Sequence, residues 1–471
     1  MILTLFLLCV QIGGFISSLH AVMATRTPQG AIAWVISLNT FPVIALPAYW
    51  IFGRNNFRGY VVARKEQDAQ LRELITELVH AYPQVFSKQC DLHSPIRAAE
   101  ELARVPVMKG NDVKLLIDGE DTFLSILEGI QQAGLYILVQ FYTVRDDSIG
   151  RKLQAALIEK AHAGVRVYIL FDEVGSHKLP HDYLEKLRDA GVEIHPFNSR
   201  KGWRNRFQLN FRNHRKVVVV DGHTSWMGGH NVGDEYLDGG GAFTSWRDTH
   251  IKIEGPASLP VQFAFMEDWK WATDSRLDLD WERGFEITPG EKDVLILPTG
   301  PADDRESAAL MFTHAINNAR DRIWIASPYF VPDEGVIQAL QLAVLRGVEV
   351  RILIPDLADH HLAYLAAFSS LKQVGDGIRI WRYTEGFMHQ KVVLVDHNIA
   401  SVGTANFDNR SFRLNFEITA MILDKSFNRE VEEMLLRDFE RSIPMEANAL
   451  DHKSYPFQLM SRFSSLFAPI L

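Results

Sequence analysis

His214 and Lys216 stand two residues apart at the head of an apolar run that closes on Asp221, and the arrangement returns as His389, Lys391 and Asp396. The stretches His214-Arg215-Lys216-Val217-Val218-Val219-Val220-Asp221 and His389-Gln390-Lys391-Val392-Val393-Leu394-Val395-Asp396 both read His, any residue, Lys, four apolar residues, Asp. A Gly follows each Asp by seven residues (Gly228, Gly403) and an Asn by ten (Asn231, Asn406). One such pattern arises by accident in roughly a few per cent of chains this long; two copies with matched offsets indicate a duplicated active-site half. An imidazole beside an ammonium suits attack on phosphorus. Histidine serves near neutral pH as nucleophile or general acid. Lysine fixes positive charge where phosphate oxygens gather negative charge in the transition state, and Asn231 and Asn406 add neutral donors. Two halves supply one histidine to attack and one to protonate the leaving alkoxide; the second then deprotonates the acceptor.

Strands must position these groups, because four consecutive apolar residues bounded by polar ones suit a strand buried on both faces. Side chains alternate along a strand, so each His–Lys pair points one way and its Asp the other. Asp221 and Asp396 complete the motifs and are counted with the catalytic set, although their parity favours a turn or ion-pair role at the strand end. The duplication extends upstream. Tyr136–Tyr142 resembles Ile323–Tyr329, and Gly164–Leu170 resembles Gly347–Leu353, with a helical pattern between the members of each pair (Leu153–His162, Val336–Leu345). Strands alternating with helices predict an α/β sandwich in each half.

Both motifs resemble the HKD motifs of the phospholipase D superfamily. The resemblance implies a phosphohistidine intermediate formed without metal, two motifs meeting in one cleft, and an acidic residue orienting the imidazole. Glu417 in the second half matches that acidic position; in the first half the candidate is Asp248, at a longer spacing. Family usage makes His214 the nucleophile and His389 the acid/base; the residues themselves leave the order open.

Charge and composition narrow the class. The net charge of −9 argues against a nucleic-acid-binding protein, and two cysteines, Cys9 and Cys90, give no disulfide framework or cysteine-based metal site. One basic run, Arg200, Lys201, Arg204, Arg206, Arg212, Arg215 and Lys216 with Trp203, Phe207 and Phe211 interleaved, suits either a solvated face or a surface that gathers anionic lipid headgroups.

The N-terminus is apolar over Ile2–Met23 and again over Ala31–Phe52, each long enough to span a bilayer. Pro42 and Pro47 interrupt the second stretch, which membrane helices tolerate. Arg54, Arg58, Arg64 and Lys65 follow it, while the connecting loop carries only Arg26. Two spans with a cytoplasmic catalytic region and the loop outside are therefore expected. Gln11, His20 and Asn39 are expected to contact the other helix. Val62–Tyr82 reads as an amphipathic connector, and Phe457–Leu471 as either core or an interfacial segment.

Two short spans followed by two such halves resemble the bacterial cardiolipin synthase branch of the superfamily. The likeness includes Ala33-Trp34, Pro328–Pro332, Val402–Ser411 and Leu414–Thr419, whereas Asp238–Gly241 departs from it. The expected layout is an anchor over 1–60, a connector over 61–109, and phospholipase D-like halves over 110–290 and 291–471 sharing one cleft. The resemblance implies a phosphatidyltransferase of the bacterial cell membrane that joins two phosphatidylglycerols, needs no cofactor or metal, and contacts anionic phospholipids and the bilayer. Alternatives are a phospholipase D, a phosphatidyltransferase with another donor or acceptor, and a nuclease.

Overall fold

The apolar runs behind the two motifs become inner strands of one mixed sheet. The computed structural model describes residues 1–53, 60–61, 73–86, 95–197, 210–237, 243–286 and 290–471. Arg54, Arg58, Arg64, Lys65, most of the connector, Cys90, the basic run from Arg200 to Phe207 and Asp238–Gly241 lie outside the described residues.

The first half contributes β1 (Met108–Ile117), β2 (Tyr136–Phe141), β3 (Arg166–Phe171), β4 (Glu193–Pro196), β5 (Arg212–Asn213), β6 (Val217–Val220), β7 (Thr224–Gly228), β8 (Trp246–Arg247) and β9 (Thr249–Glu254). The second contributes β10 (Lys292–Thr299), β11 (Arg322–Ala326), β12 (Phe330–Val331), β13 (Glu349–Pro355), β14 (Arg379–Tyr383), β15 (Phe387–Met388), β16 (Val392–Val395), β17 (Ile399–Gly403), β18 (Phe407–Asp408), β19 (Asn415–Leu423) and β20 (Ser442–Met445). Outward from the middle, the first half runs β1-β9-β7-β6-β2-β3-β4 and the second β10-β19-β17-β16-β11-β13-β14, with β20 added at its edge. The order is the same element for element.

Each half has the expected α/β layering, and the two halves are joined at their middle strands. β1 and β10 pair antiparallel, so the two sheets merge into one. Pairing satisfies backbone groups that two separate sheets would leave at open edges. Strand parity then sorts the layers. Val217, Val219, Val392 and Leu394 face a core shared by both halves. Val218 and Val220 face the helices of the first half, and Val393 and Val395 those of the second.

Asp221 and Asp396 lie at the opposite end of their strands from the histidines. The Asp221 carboxylate accepts from the backbone N–H groups of Gly134, Leu135 and Tyr136 at 2.8, 2.8 and 2.9 Å. Asp396 does the same for Arg320, Asp321 and Arg322 at 3.1, 2.8 and 3.1 Å. Both fasten the strand end to the loop that enters the neighbouring strand. Their place in the catalytic set is thereby corrected: the lone pairs are already used, away from the cleft.

Helix α1 (Ile2–Ala24) is, among the described residues, the one helix long and apolar enough to cross a membrane. The second apolar stretch is not a single helix. It breaks into α2 (Pro28–Thr40) and α3 (Pro42–Phe52), because Pro42 lacks an N–H and disfavours helical geometry at Phe41. Leu38 and Pro42 crowd Gly14, half-way along α1, where an added Cβ would lie 2.3 Å from the Leu38 carbonyl. From there α3 turns back: Tyr49 Oη bonds His20 Nδ1 at 2.6 Å, and Trp50 Nε1 donates to Ser17 at 3.2 Å. Gln11 and Asn39 also bond between helices. Arg26, in the turn after α1, pairs with Glu306 of the second half at 2.5 Å. The turn that carries Arg26 therefore lies against the catalytic body.

This arrangement predicts that Thr27→Cys and Phe52→Cys, made singly with Cys9 and Cys90 replaced by Ser, react with an impermeant thiol reagent from the same side of sealed vesicles. Reaction from opposite sides would restore a second full span.

Candidate active site

Each motif is approached by a short strand borrowed by the other half. β5 pairs parallel with the start of β19, placing Arg212 opposite Asn415 and Asn213 opposite Phe416. β15 pairs in the same way with β8, placing Phe387 opposite Trp246 and Met388 opposite Arg247. The next residue in each case is the motif histidine. His214 N–H donates to the Phe416 carbonyl at 2.9 Å, and His389 N–H to that of Arg247 at 2.8 Å. Phe416 and Arg247 immediately precede Glu417 and Asp248, so these backbone bonds bring each acid to the imidazole of the opposite half. His214 Nδ1 lies 2.9 Å from both Glu417 carboxylate oxygens, and His389 Nδ1 lies 2.7 Å from Asp248 Oδ2.

Glycines make the approach possible. A Cβ on Gly228 would lie 2.4 Å from the Thr249 carbonyl, and one on Gly403 2.5 Å from that of Ile418. At Gly229 it would collide with Asp248 itself, at 1.9 Å. The matched Gly spacing thus reflects close passage of β7 and β17 over the strands that carry the acids.

The residues between His and Lys point the other way, as parity requires. Arg215 forms a buried ion pair with Asp268 at 2.9 Å and donates to the Glu417 carbonyl at 3.1 Å. Gln390 Nε2 donates to Asp438 at 2.7 Å, and Arg247 pairs with the same carboxylate at 2.8 and 2.9 Å. Arg215 is therefore a core strut, and it leaves the proposed lipid-gathering face.

Burial dominates the electrostatics of the site. It pushes the His214 imidazole down to about 4, overcoming the upward pull of Glu417, with Lys216 adding to the downward shift. His389 is held well below its usual range by burial, then by Lys391 and Lys216. Burial likewise lowers Lys216 to about 7 and Lys391 to about 8. Glu417 resists the upward push of burial and stays below the usual carboxylate range, because His214, Lys216 and donated hydrogen bonds stabilise its charge. Those donors include Thr404 at 2.6 Å, Ser411 at 2.8 Å and Asn415 at 3.1 Å. At neutral pH both imidazoles are uncharged, with Nδ1–H donated to a carboxylate and the Nε2 lone pair left for chemistry.

His214 and His389 share one cavity of about 770 Å³ with Asn231 and Asn406. Asn231 Oδ1 accepts from the Thr143 N–H at 3.1 Å, which leaves its NH₂ to donate elsewhere. Lys216 and Lys391 each donate to the carbonyl of their own motif histidine. Tyr142 packs edge-on to His214 with ring centroids 5.2 Å apart, and Trp246 tilts over His389 at 5.0 Å.

Sequence reading missed Asp359, His360, His361 and Arg410 as cavity residues. The polar run Asp359-His360-His361 ahead of an apolar helix was the available signal, but it has no counterpart in the first half. Among the described residues, no group of three or more His, Cys, Asp or Glu side chains is placed to hold a metal ion.

A family profile described as "Cardiolipin synthase, PLD-like domain" matches residues 126–251 and 312–439, one copy per half. This chain belongs to that family. The cardiolipin synthase A of Pseudomonas putida strain W619 is 47% identical over 470 residues, covering 98% of this chain and 97% of the relative. That of Pseudomonas fluorescens strain SBW25 is 44% identical over 476 residues, covering 100% of this chain and 98% of the relative. The phosphatidylserine synthase of Haemophilus influenzae superposes with a TM-score of 0.62 at 16% identity, covering 80% of this chain and 100% of that one, which shows a shared fold. The two segments matched by the cardiolipin synthase profile contain both histidines, both lysines, Asp248 and Glu417.

The lysine shifts set a pH dependence. An ammonium near 7 or 8 is charged below that value and neutral above it, so its help to a phosphoryl centre is lost as pH rises. kcat/KM is expected to fall as pH rises through about 7 to 8. A profile flat to pH 9 would remove the lysines from the rate-determining charge.

Proposed function

We propose that this chain joins two phosphatidylglycerol molecules into cardiolipin and glycerol through a phosphatidyl-histidine. The observation that carries this reading is a pair of imidazoles, each oriented by a buried carboxylate, in one cavity. His214 Nε2 attacks the phosphorus of the first lipid. The P–N bond forms as the P–O bond to the glycerol headgroup breaks, and His389 gives its proton to the departing oxygen. An incoming anionic phosphodiester supplies the countercharge that lets His389 carry that proton. A headgroup hydroxyl of the second phosphatidylglycerol then returns a proton to His389 and attacks phosphorus, releasing His214. One P–O bond replaces another, so the cycle as written uses no nucleotide, cofactor or metal. Lys216, Lys391, Asn231 and Asn406 steady the non-bridging oxygens.

The bilayer supplies both lipids. We read α1 as the span and α2–α3 as a hairpin that enters the membrane from the side of the catalytic body. Arg26, Arg54, Arg58, Arg64 and Lys65 all follow α1, which by the positive-inside tendency favours a cytoplasmic body in a bacterial inner membrane. The helix Tyr455–Ser465 packs one face on the body and exposes Leu459, Met460 and Phe463, a pattern suited to the interfacial layer. The layout of an anchor, a connector and halves over 110–290 and 291–471 accords with this reading.

Lipid mass spectrometry on phosphatidylglycerol vesicles, with and without phosphatidylethanolamine, tests the proposal. Cardiolipin plus glycerol from phosphatidylglycerol alone is expected, and it should vanish in His214→Ala and in His389→Ala. Phosphatidic acid as the sole product would make the chain a phospholipase; cardiolipin only with the ethanolamine lipid would change the donor.

A further inference from the structure

Joining two phosphatidylglycerols brings two phosphates into one cleft, and only the first is held by the histidine–lysine pairs. Resting on the function proposed above, we propose that Arg212, supported by Arg410, binds the phosphodiester of the acceptor phospholipid while its headgroup hydroxyl reaches the phosphatidyl-histidine.

Parity places Arg212 on the cleft side. Asn213 and Arg215 turn inward to Asp268, whereas Arg212 and His214 both line the catalytic cavity. Two residues along an extended strand are separated by about 6.6 Å. That offset suits two phosphates joined by a three-carbon glycerol bridge.

Both guanidiniums donate to neutral oxygens. Arg212 Nη1 donates to the Phe211 carbonyl at 2.7 Å. Arg410 Nη1 donates to Asn210 Oδ1 at 3.2 Å and to the Ile470 carbonyl at 3.1 Å, and its Nη2 to the Asn210 carbonyl at 2.8 Å. All four acceptors are neutral. Among the described residues, neither guanidinium has an Asp or Glu oxygen within ion-pair distance. The acids that act on Arg410 through space, Asp408 and Asp172, already accept backbone N–H groups: Asp408 from Ser411, and Asp172 from Val174, Gly175 and Asn213. Burial and then repulsion from Arg212 hold Arg410 below its usual range, so a second positive group is close by. A planar guanidinium with free donors is well matched to phosphate oxygens.

The acyl chains also have a path. Ile470 lines the catalytic cavity and a second cavity of about 970 Å³ between the anchor and the body. Its walls include Ala33, Trp34, Phe52, Leu414 and Phe467. A lipid with its phosphate at Arg212 can therefore run its chains past Ile470 toward the membrane helices.

The test compares two acceptors on the same phosphatidyl-enzyme. One is phosphatidylglycerol in vesicles, which carries a phosphate. The other is labelled free glycerol, which carries none and returns the label to phosphatidylglycerol. Arg212→Gln is expected to lower cardiolipin formation about tenfold relative to labelled-glycerol exchange, with a raised KM for vesicle lipid, and Arg212→Lys to recover part of the loss. Equal loss of both reactions would overturn the assignment, placing Arg212 with the donor or the fold. An unchanged ratio would overturn it too. Inhibition of both reactions by inorganic phosphate, relieved in Arg212→Gln, would mark a free-phosphate site and contradict the lipid assignment. Failure of the wild type to make any cardiolipin would instead defeat the proposed function itself.

Discussion

Two buried carboxylates, exchanged between the halves, are the constraint on which the site depends. Glu417 orients His214 and Asp248 orients His389, each across the pseudo-symmetric interface. Neither motif histidine takes its carboxylate from its own half. The exchange explains features that look unrelated in isolation. The short strands β5 and β15 each pair with the strand just ahead of the opposite acid. Glycines stand where β7 and β17 must pass close to the acid-bearing strands. β1 and β10 fuse the two sheets, which fixes the distance between the halves. Removing one acid would leave its imidazole buried without an acceptor for Nδ1–H, so tautomer and ring orientation would be lost together.

Desolvation sets the chemical character of the site. The same burial that lowers both imidazoles also lowers both lysines. An arriving phosphodiester anion reverses this, favouring charged lysines and a protonated His389.

Much of the site was legible because periodicity and duplication act locally. The His and Lys side chains had to share a strand face, and the matched Gly and Asn offsets marked a duplicated half. Glu417 and Asp248 were named through the family resemblance, Asp248 at a longer spacing, but their exchange across the halves was not legible, since strand parity says nothing about which half a neighbouring strand comes from. The joining of the two sheets was not legible for the same reason: β1–β10 pairing joins strands with no shared local signal. Asp221 and Asp396 illustrate a different limit. Their parity pointed to a strand-end role, and the structure shows the carboxylates clasping backbone N–H groups. At the N-terminus, hydropathy measured apolar length but not direction. Arg26 beside Glu306, and α3 folding back at Pro42, depend on tertiary contacts that composition does not encode.

Mapping the covalent intermediate tests the exchange most directly. The enzyme would be mixed with phosphatidylglycerol, quenched within milliseconds under denaturing alkaline conditions, and its peptides examined for phosphatidyl-histidine. The modification is expected on His214, lost in Glu417→Gln and retained in Asp248→Asn, whose defect lies with His389. Modification of His389, or undiminished labelling of His214 in Glu417→Gln, would contradict the account.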